Sequence, residues 1–468
     1  MLPTKFLLAA IAVALLYSFT NFQPPKNKVS VWLTKADSSV LLQQQKTNLH
    51  FTNSANASLT VIAVDAAQKY QTIDGFGFTL TGGSAALINR LNTNSKKQLL
   101  QELFGNKNNA IKISYLRISI GASDLNSEVY SYNDLPANET DTSLSKFSLS
   151  KDTTDVLPLL KEIVAINPSI NIMGSPWSAP AWMKSNGNSM GGSLLPRYYT
   201  VYANYFVKYL QAMQANGINL NAITIQNEPQ HGGNNPSMIM SAGEQALFIK
   251  NHLGPAFAKA GIKTKIIIWD HNCDNPEYPI SILNDAAARQ YIYGAAFHLY
   301  AGAINALSVV QQQHPDKAIY FTEQWTWAKG SFGGDLKWHT QNVIIGALRN
   351  WSRTALEWNL ANDATFNPHT PGGCTECKGA LTITNTVTRN VAYYIIAHAA
   401  KFIPPGAVRI ASTEANNLYT VACLTPNGTK VLLVLNSNSS AANFAIQFNN
   451  QTTVAQQPAN SVATYTWQ

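Results

Sequence analysis

The sequence predicts an α/β protein: a (β/α)8 TIM barrel over residues 69–403, with an attached β-sandwich built from both chain ends, residues 29–68 and 404–468. Three observations carry this. The middle of the chain alternates short apolar runs with amphipathic segments, the rhythm of repeated βα units around a parallel sheet. Both ends instead show short β-branched or apolar runs separated by Ser, Asn and Asp clusters, with no helix-period stretch between them. At 468 residues the chain holds one large barrel and a small companion domain.

In chain order, Lys5 precedes an apolar run from Phe6 to Phe19 and then Thr20, Asn21, Pro24 and Pro25. This resembles a secretory signal, so residues 1–22 are read as a signal peptide or N-terminal anchor and the protein as exported, either secreted or periplasmic. A membrane tether through the same segment is the rival reading, although the run is short for a spanning helix. Residues 29–33, 39–43 and 59–64 read as strands. Eight apolar runs follow, at 73–78, 114–120, 171–175, 222–226, 265–269, 293–298, 318–322 and 355–359, the number a (β/α)8 barrel needs.

The helices between them have their own signatures. Tyr202, Tyr205, Phe206, Tyr209, Leu210 and Met213 recur at three-to-four spacing, and Gly217 follows where the helix should end. Ser95 with Gln98 three residues later reads as a capping box, and Pro168 closes a helix carrying Leu159, Leu160, Ile163 and Val164. Near the C-terminus, 430–435, 444–448 and 463–467 return to strand texture, the last two with period-two alternation.

Composition narrows the function. Hydrophobic residues are 46% and charged residues 12%, which excludes a disordered or coiled-coil chain. Lys and Arg outnumber Asp and Glu by 33 to 25, yet no basic run or basic helix appears, so no nucleic-acid partner is expected. The excess leaves room only for weak, unspecific attraction to an anionic membrane or cell wall. Four cysteines are too few for a disulfide framework. The pair Cys374 and Cys377 reads as a local loop-bracing disulfide rather than half of a zinc site.

Catalytic groups of such barrels come from the C-terminal ends of strands, where the variable loops converge. The fourth run ends in Asn227-Glu228-Pro229 and the seventh in Thr322-Glu323. Two carboxylates facing each other across a polar pocket are what glycosidic cleavage requires: one protonates the leaving oxygen while the other attacks or activates water. A lone strand-end Glu is as often an ion-pair partner; two at strands four and seven point to chemistry.

The Asn227-Glu228-Pro229 turn with Glu323 resembles glycoside hydrolase family 30, the glucosylceramidase family. So do Asp74-Gly-Phe-Gly77, Leu116-Arg117-Ile-Ser119, and Ser175-Pro-Trp177 followed by Pro180-Ala-Trp182. The resemblance implies a retaining β-glycosidase working by double displacement, with no metal or organic cofactor. It assigns Glu228 as general acid/base and Glu323 as nucleophile. It also implies that Asp124, Trp177, Asn227 and Trp358 bind the sugar, with His298 and Tyr300 beside the nucleophile's strand and Arg117 beneath it. Glu228 should then carry the higher pKa of the pair. In its departures, the first turn lacks the acidic residue expected soon after Gly77, and the loop from Gly372 to Gly379 looks more like that of microbial endo-β-1,6-glucanases.

The leading expectation is therefore a glucosylceramidase-like hydrolase of β-glucosidic bonds, acting on a glycolipid; the alternative is an endo-β-1,6-glucanase acting on β-glucan. A catalytically inactive carbohydrate-binding protein on the same fold is a third reading. An inverting enzyme would need its carboxyl groups roughly 6.5–9.5 Å apart, a retaining one roughly 5–5.5 Å. Singly, Arg117 reads equally as a structural ion pair and His298 as a hydrogen-bonded barrel residue. Oligomeric state has no sequence signal.

Overall fold

Eight parallel strands close into a barrel in the computed structural model of the chain, which describes residues 28–53 and 58–468; the expected export segment lies outside these residues. The strands are β1 (Gly75–Leu80), β2 (Tyr115–Ser119), β3 (Asn171–Ser175), β4 (Ala222–Thr224), β5 (Lys265–Cys273), β6 (Ile292–Gly302), β7 (Ala318–Glu323) and β8 (Ser352–Asn359). Each pairs in parallel with the next, and β8 closes on β1. All eight predicted runs fall on these strands, with β4 shorter than expected and β5 and β6 continuing further. At the lower rim Arg353 donates to both carboxylate oxygens of Asp74, at 2.7 and 3.0 Å, and so staples β8 beside the start of β1.

Side chains alternate across a strand, so positions two apart share a face. Tyr115, Met173, Ala222, Ile267, Ala296, Tyr320 and Leu356 form one apolar layer inside the barrel. Two residues further along the same strands stand Arg117, Ser175, Thr224, His298, Thr322 and Trp358. Strand periodicity alone thus stacks a polar layer on an apolar floor at the C-terminal end.

Helices cover the outside. The stripe from Tyr202 to Met213 lies in the helix Tyr199–Ala215 and is buried; the helix ends at Asn216, and Gly217 turns the chain with φ +81°. The helix ahead of Pro168 spans Val156–Ile166. The capping box placed on Ser95 is corrected. The helix Thr93–Phe104 is capped by Asn92, whose side chain accepts from the Ser95 N–H. Asn is as strong a cap as Ser, and it comes first along the chain.

The sandwich does draw on both ends. Lys28–Lys35 pairs antiparallel with Ser461–Trp467, and the long strand Thr60–Thr72 pairs with Ala442–Phe448 through its first half and Val408–Ser412 through its second. Residues 39–43 do not form the expected strand: Asp37 accepts from the Ser39 N–H and bends the chain, leaving only Gln43–Gln44 to pair. In the strand Lys430–Asn436, Leu432 and Val434 face the sandwich core while Val431, Leu433 and Leu435 pack toward the barrel. With both faces buried, this strand reads as one continuous apolar run.

Candidate active site

The polar layer is organised around a buried ion pair. Arg117 on β2 is fully buried; its Nη1 donates to Oε2 of Glu323, while Nη2 donates to Asp270 Oδ2 at 2.8 Å and Asn227 Oδ1 at 2.6 Å. Asp270, also fully buried, accepts from Ser175 Oγ at 2.6 Å, Thr224 Oγ1 at 2.8 Å and Thr322 Oγ1 at 2.7 Å. A buried charge persists only when paired and hydrogen-bonded, and here one carboxylate satisfies hydroxyls from three strands. Burial opposes its charge, but Arg117, then His298 and the Ser175 hydroxyl, hold it well below the ordinary carboxylate range.

Asp270 escaped the sequence reading because strand five was taken to end at Trp269. In the structure β5 runs on to Cys273, and its register against β6 shifts between Ala296 and Phe297. Trp269 and Asp270 both have positive φ, 71° and 65°. The bulge turns Asp270 inward where simple alternation would have placed Trp269. A carboxylate beside that predicted strand end was the available signal.

The two expected catalytic carboxylates meet. Glu323 is the last residue of β7; Glu228 lies beyond β4 with φ +46°, held by its N–H donating to the Asp270 carbonyl at 3.0 Å. Left-handed backbone at a non-glycine residue costs of order 1 kcal/mol and persists where the surroundings impose it. Carboxylate oxygens of Glu228 and Glu323 and a nitrogen of His298 all lie within 4.8 Å of one another. Such close oxygens accord with a retaining pair. The same three groups are spaced to ligate a cation, but Arg117 already sets a permanent positive charge on Glu323.

His298 bridges the two halves of the site. Its Nδ1 is 3.1 Å from Glu228 Oε1 and its Nε2 3.2 Å from Asp270 Oδ1. Burial works against its charge, but Glu323, Asp270 and Glu228 push its pKa up to about 9. The expected pKa order of the carboxylates is corrected accordingly. Burial raises Glu323 against the pull of His298 and Arg117, whereas at Glu228 burial is outweighed by the hydrogen bond and charge of His298 and the nearby His271 and His231. With its pKa raised to about 9, His298 is protonated at neutral pH, and its Nδ1 presents a proton to Glu228.

The remaining predicted residues gather in the same place. Tyr300 donates to Glu323 Oε1 at 2.9 Å. Trp177 and Trp358 stack with centroids 5.3 Å apart, and the Arg117 guanidinium lies 4.8 Å from the Trp177 ring. Asp124, buried, accepts from the Cys374 N–H at 3.2 Å, and its carboxyl is pushed up to about 7 by burial and by Glu323. A cavity of about 290 Å³ is bounded by Asp124, Trp177, Glu228, Tyr300, Glu323 and Trp358, and further by His231, Asn234, His271 and Asn272, which the sequence had not singled out. In the first turn, where no acidic residue stands, Thr81 and Ser84 both donate to Asn359 on β8.

The sequence matches the glycosyl hydrolase family 30 TIM-barrel domain over residues 73–403 and the family's β-sandwich domain over 406–465. The chain belongs to glycoside hydrolase family 30. It is 36% identical to the endo-1,6-β-D-glucanase of Aspergillus fumigatus over 407 residues, 81% of each chain. With the lysosomal acid glucosylceramidase of Mus musculus it shares 29% over 440 residues, 87% of this chain and 83% of the other. A solved endo-β1,6-glucanase superposes with a TM-score of 0.87 at 34% identity, covering 94% of this chain and 99% of that one. As a family-30 member with its carboxylate pair in place, the protein is a retaining O-glycosyl hydrolase.

Proposed function

We propose that this family-30 enzyme cleaves β-1,6-glucan within the chain, with Glu323 as nucleophile and Glu228 as general acid/base. The observation that carries the choice of aglycone is the wall beside Glu228. The acid must stand on the leaving-group side, and there the cavity is bounded by His231, Asn234, His271 and Asn272, hydrogen-bonding groups suited to a second sugar rather than a lipid tail. Trp327, 43% exposed just beyond the cavity residue Trp325, offers a further aromatic face. The endo-β-1,6-glucanase relatives support the same reading.

In the first step Glu323, oriented by Arg117 and Tyr300, attacks the anomeric carbon. The proton held between His298 and Glu228 passes through Glu228 to the departing oxygen. Asp124 and Asn227 grip sugar hydroxyls, and Trp177 and Trp358 cover the apolar side of the ring. In the second step Glu228, now a base, deprotonates the water that releases the sugar with retained configuration. A polymer substrate and a disulfide-bonded loop both accord with an exported enzyme.

Linear β-1,6-glucan and glucosylceramide, incubated in parallel with the enzyme and its Glu323→Gln variant, test this. The expected result is oligosaccharides from the glucan with β-anomers appearing first by NMR, and no turnover by the variant. Release of glucose from the lipid alone would replace the glucan by ceramide as the natural aglycone.

A further inference from the structure

Residues 372–379 belong to no barrel strand, yet they complete the sugar pocket. Cys374 and Cys377 are joined by a disulfide and both bound the cavity. The bridge packs with Leu125, Trp177, Trp358 and Trp325. Beyond it, Cys377–Lys378 pairs antiparallel with Thr326–Trp327, which fastens the turn to the chain leaving β7. On its near side the turn is laced to Asp124 through two backbone N–H groups, with a third bond closing the turn between them. The Thr370 N–H donates to the Asp124 carbonyl at 2.8 Å, the Gly373 N–H donates to the Thr370 carbonyl at 2.9 Å, and the Cys374 N–H donates to the Asp124 carboxylate at 3.2 Å. Gly373 is required for this approach, since a Cβ there would lie 2.4 Å from the Asp124 carbonyl oxygen.

We infer that the Cys374–Cys377 disulfide is a positioning device for Asp124: it holds the turn so that the Cys374 N–H orients the carboxylate toward the sugar. The inference rests on the sugar-binding reading of Asp124 given above. The loop after β2 that carries Asp124 sits beyond the strand's hydrogen bonds, and it borrows rigidity from the covalently closed turn that follows β8, one strand away across β1. A buried carboxylate flanked by Glu323 and Glu228 is repelled by both. A fixed N–H donor counters that repulsion and sets which oxygen faces the substrate.

The test is a double-mutant cycle on an aryl β-glucoside, combining Cys374→Ser/Cys377→Ser with Asp124→Asn. Opening the disulfide should lower kcat/KM about tenfold, mainly through KM, which is the scale of one charge-assisted hydrogen bond. The same opening in the Asp124→Asn background should cost less than twofold, because the group being positioned is already altered. Equal losses in both backgrounds, no loss on opening, or an Asp124→Asn enzyme with unchanged KM would each overturn the inference. If the serine variant does not fold, dithiothreitol treatment of the folded wild-type enzyme replaces it. KM should then rise at unchanged far-ultraviolet circular dichroism and return on reoxidation; no change in KM after confirmed reduction overturns the inference. Failure to cut β-1,6-glucan with normal aryl glucoside turnover would remove the glucan reading alone.

Discussion

Arg117 and Asp270 determine how the Glu228–Glu323 pair is charged. Arg117 places a permanent cation on Glu323, and Asp270 compensates that cation from below. Replacing Arg117 by Met removes the charge that favours ionised Glu323, so the acid limb of kcat/KM against pH should move to higher pH. His298 acts on the other limb. It keeps the cluster's proton up to about pH 9, so in His298→Asn the carboxylates alone must retain it and the alkaline limb should move to lower pH. A pH–rate profile from pH 4 to 10 checks both variants, and an unmoved alkaline limb in His298→Asn would remove the histidine from the proton path. Asp270→Asn leaves Arg117 buried without its full counter-charge and turns an acceptor of five hydrogen bonds partly into a donor. A stability loss of about 3–5 kcal/mol by denaturant unfolding is expected.

At the level of elements, two strand features place the site. The bulge in β5 points Asp270 at Arg117, and the close approach of β1 to β2 brings the barrel together beneath it. Gly77 shows how close that approach is: a Cβ there would lie 1.9 Å from the Tyr115 carbonyl oxygen, a backbone atom held in the β1–β2 ladder. Neither strand can yield without breaking the closed sheet, so Gly77→Ala should cost about 1–3 kcal/mol or more and lower the thermal midpoint by several degrees. Gly217→Ala offers the contrast, since nothing lies within 4 Å of its Cβ and only the left-handed turn resists it. A Gly77→Ala midpoint equal to that of the wild type would show that β1 has room the geometry denies.

Across the whole molecule, barrel and sandwich are joined through buried surface rather than through a linker. His398, on the helix Val391–Ala400, bonds to Thr34 and Thr464 of the two chain ends, 2.8 and 2.9 Å away, and burial pushes its pKa down to about 3. The imidazole thus stays neutral when folded but takes a proton near pH 6.5 when unfolded. Below that pH the unfolded state binds the additional proton, so stability present at neutral pH falls as the pH drops from 6.5 toward 3. The loss is about 2 kcal/mol between pH 6.5 and 5. Thermal midpoints measured across this range should fall less steeply for His398→Gln than for the wild type. Parallel slopes would assign the acid sensitivity elsewhere.

Periodicity and strand-end chemistry made most of this protein legible from its residues alone. Eight apolar runs, the textures of the two ends, and Glu at the ends of strands four and seven follow from local alternation and hydrogen-bonding type, and they survive folding because each is a property of a short segment. Arg117 and Trp177 came with motifs, and Trp358 with the family resemblance. Asp270 did not, because a bulge changes which face a residue takes, and bulges are settled by pairing with a neighbouring strand. The pKa order of Glu228 and Glu323 was likewise decided by the tertiary structure: it depends on His298, seventy positions from Glu228, standing within hydrogen-bond reach. The hold of Cys374 on Asp124 joins residues 250 positions apart. Charge and orientation in a buried site are set by neighbours in space, and only the closed barrel brings those neighbours together.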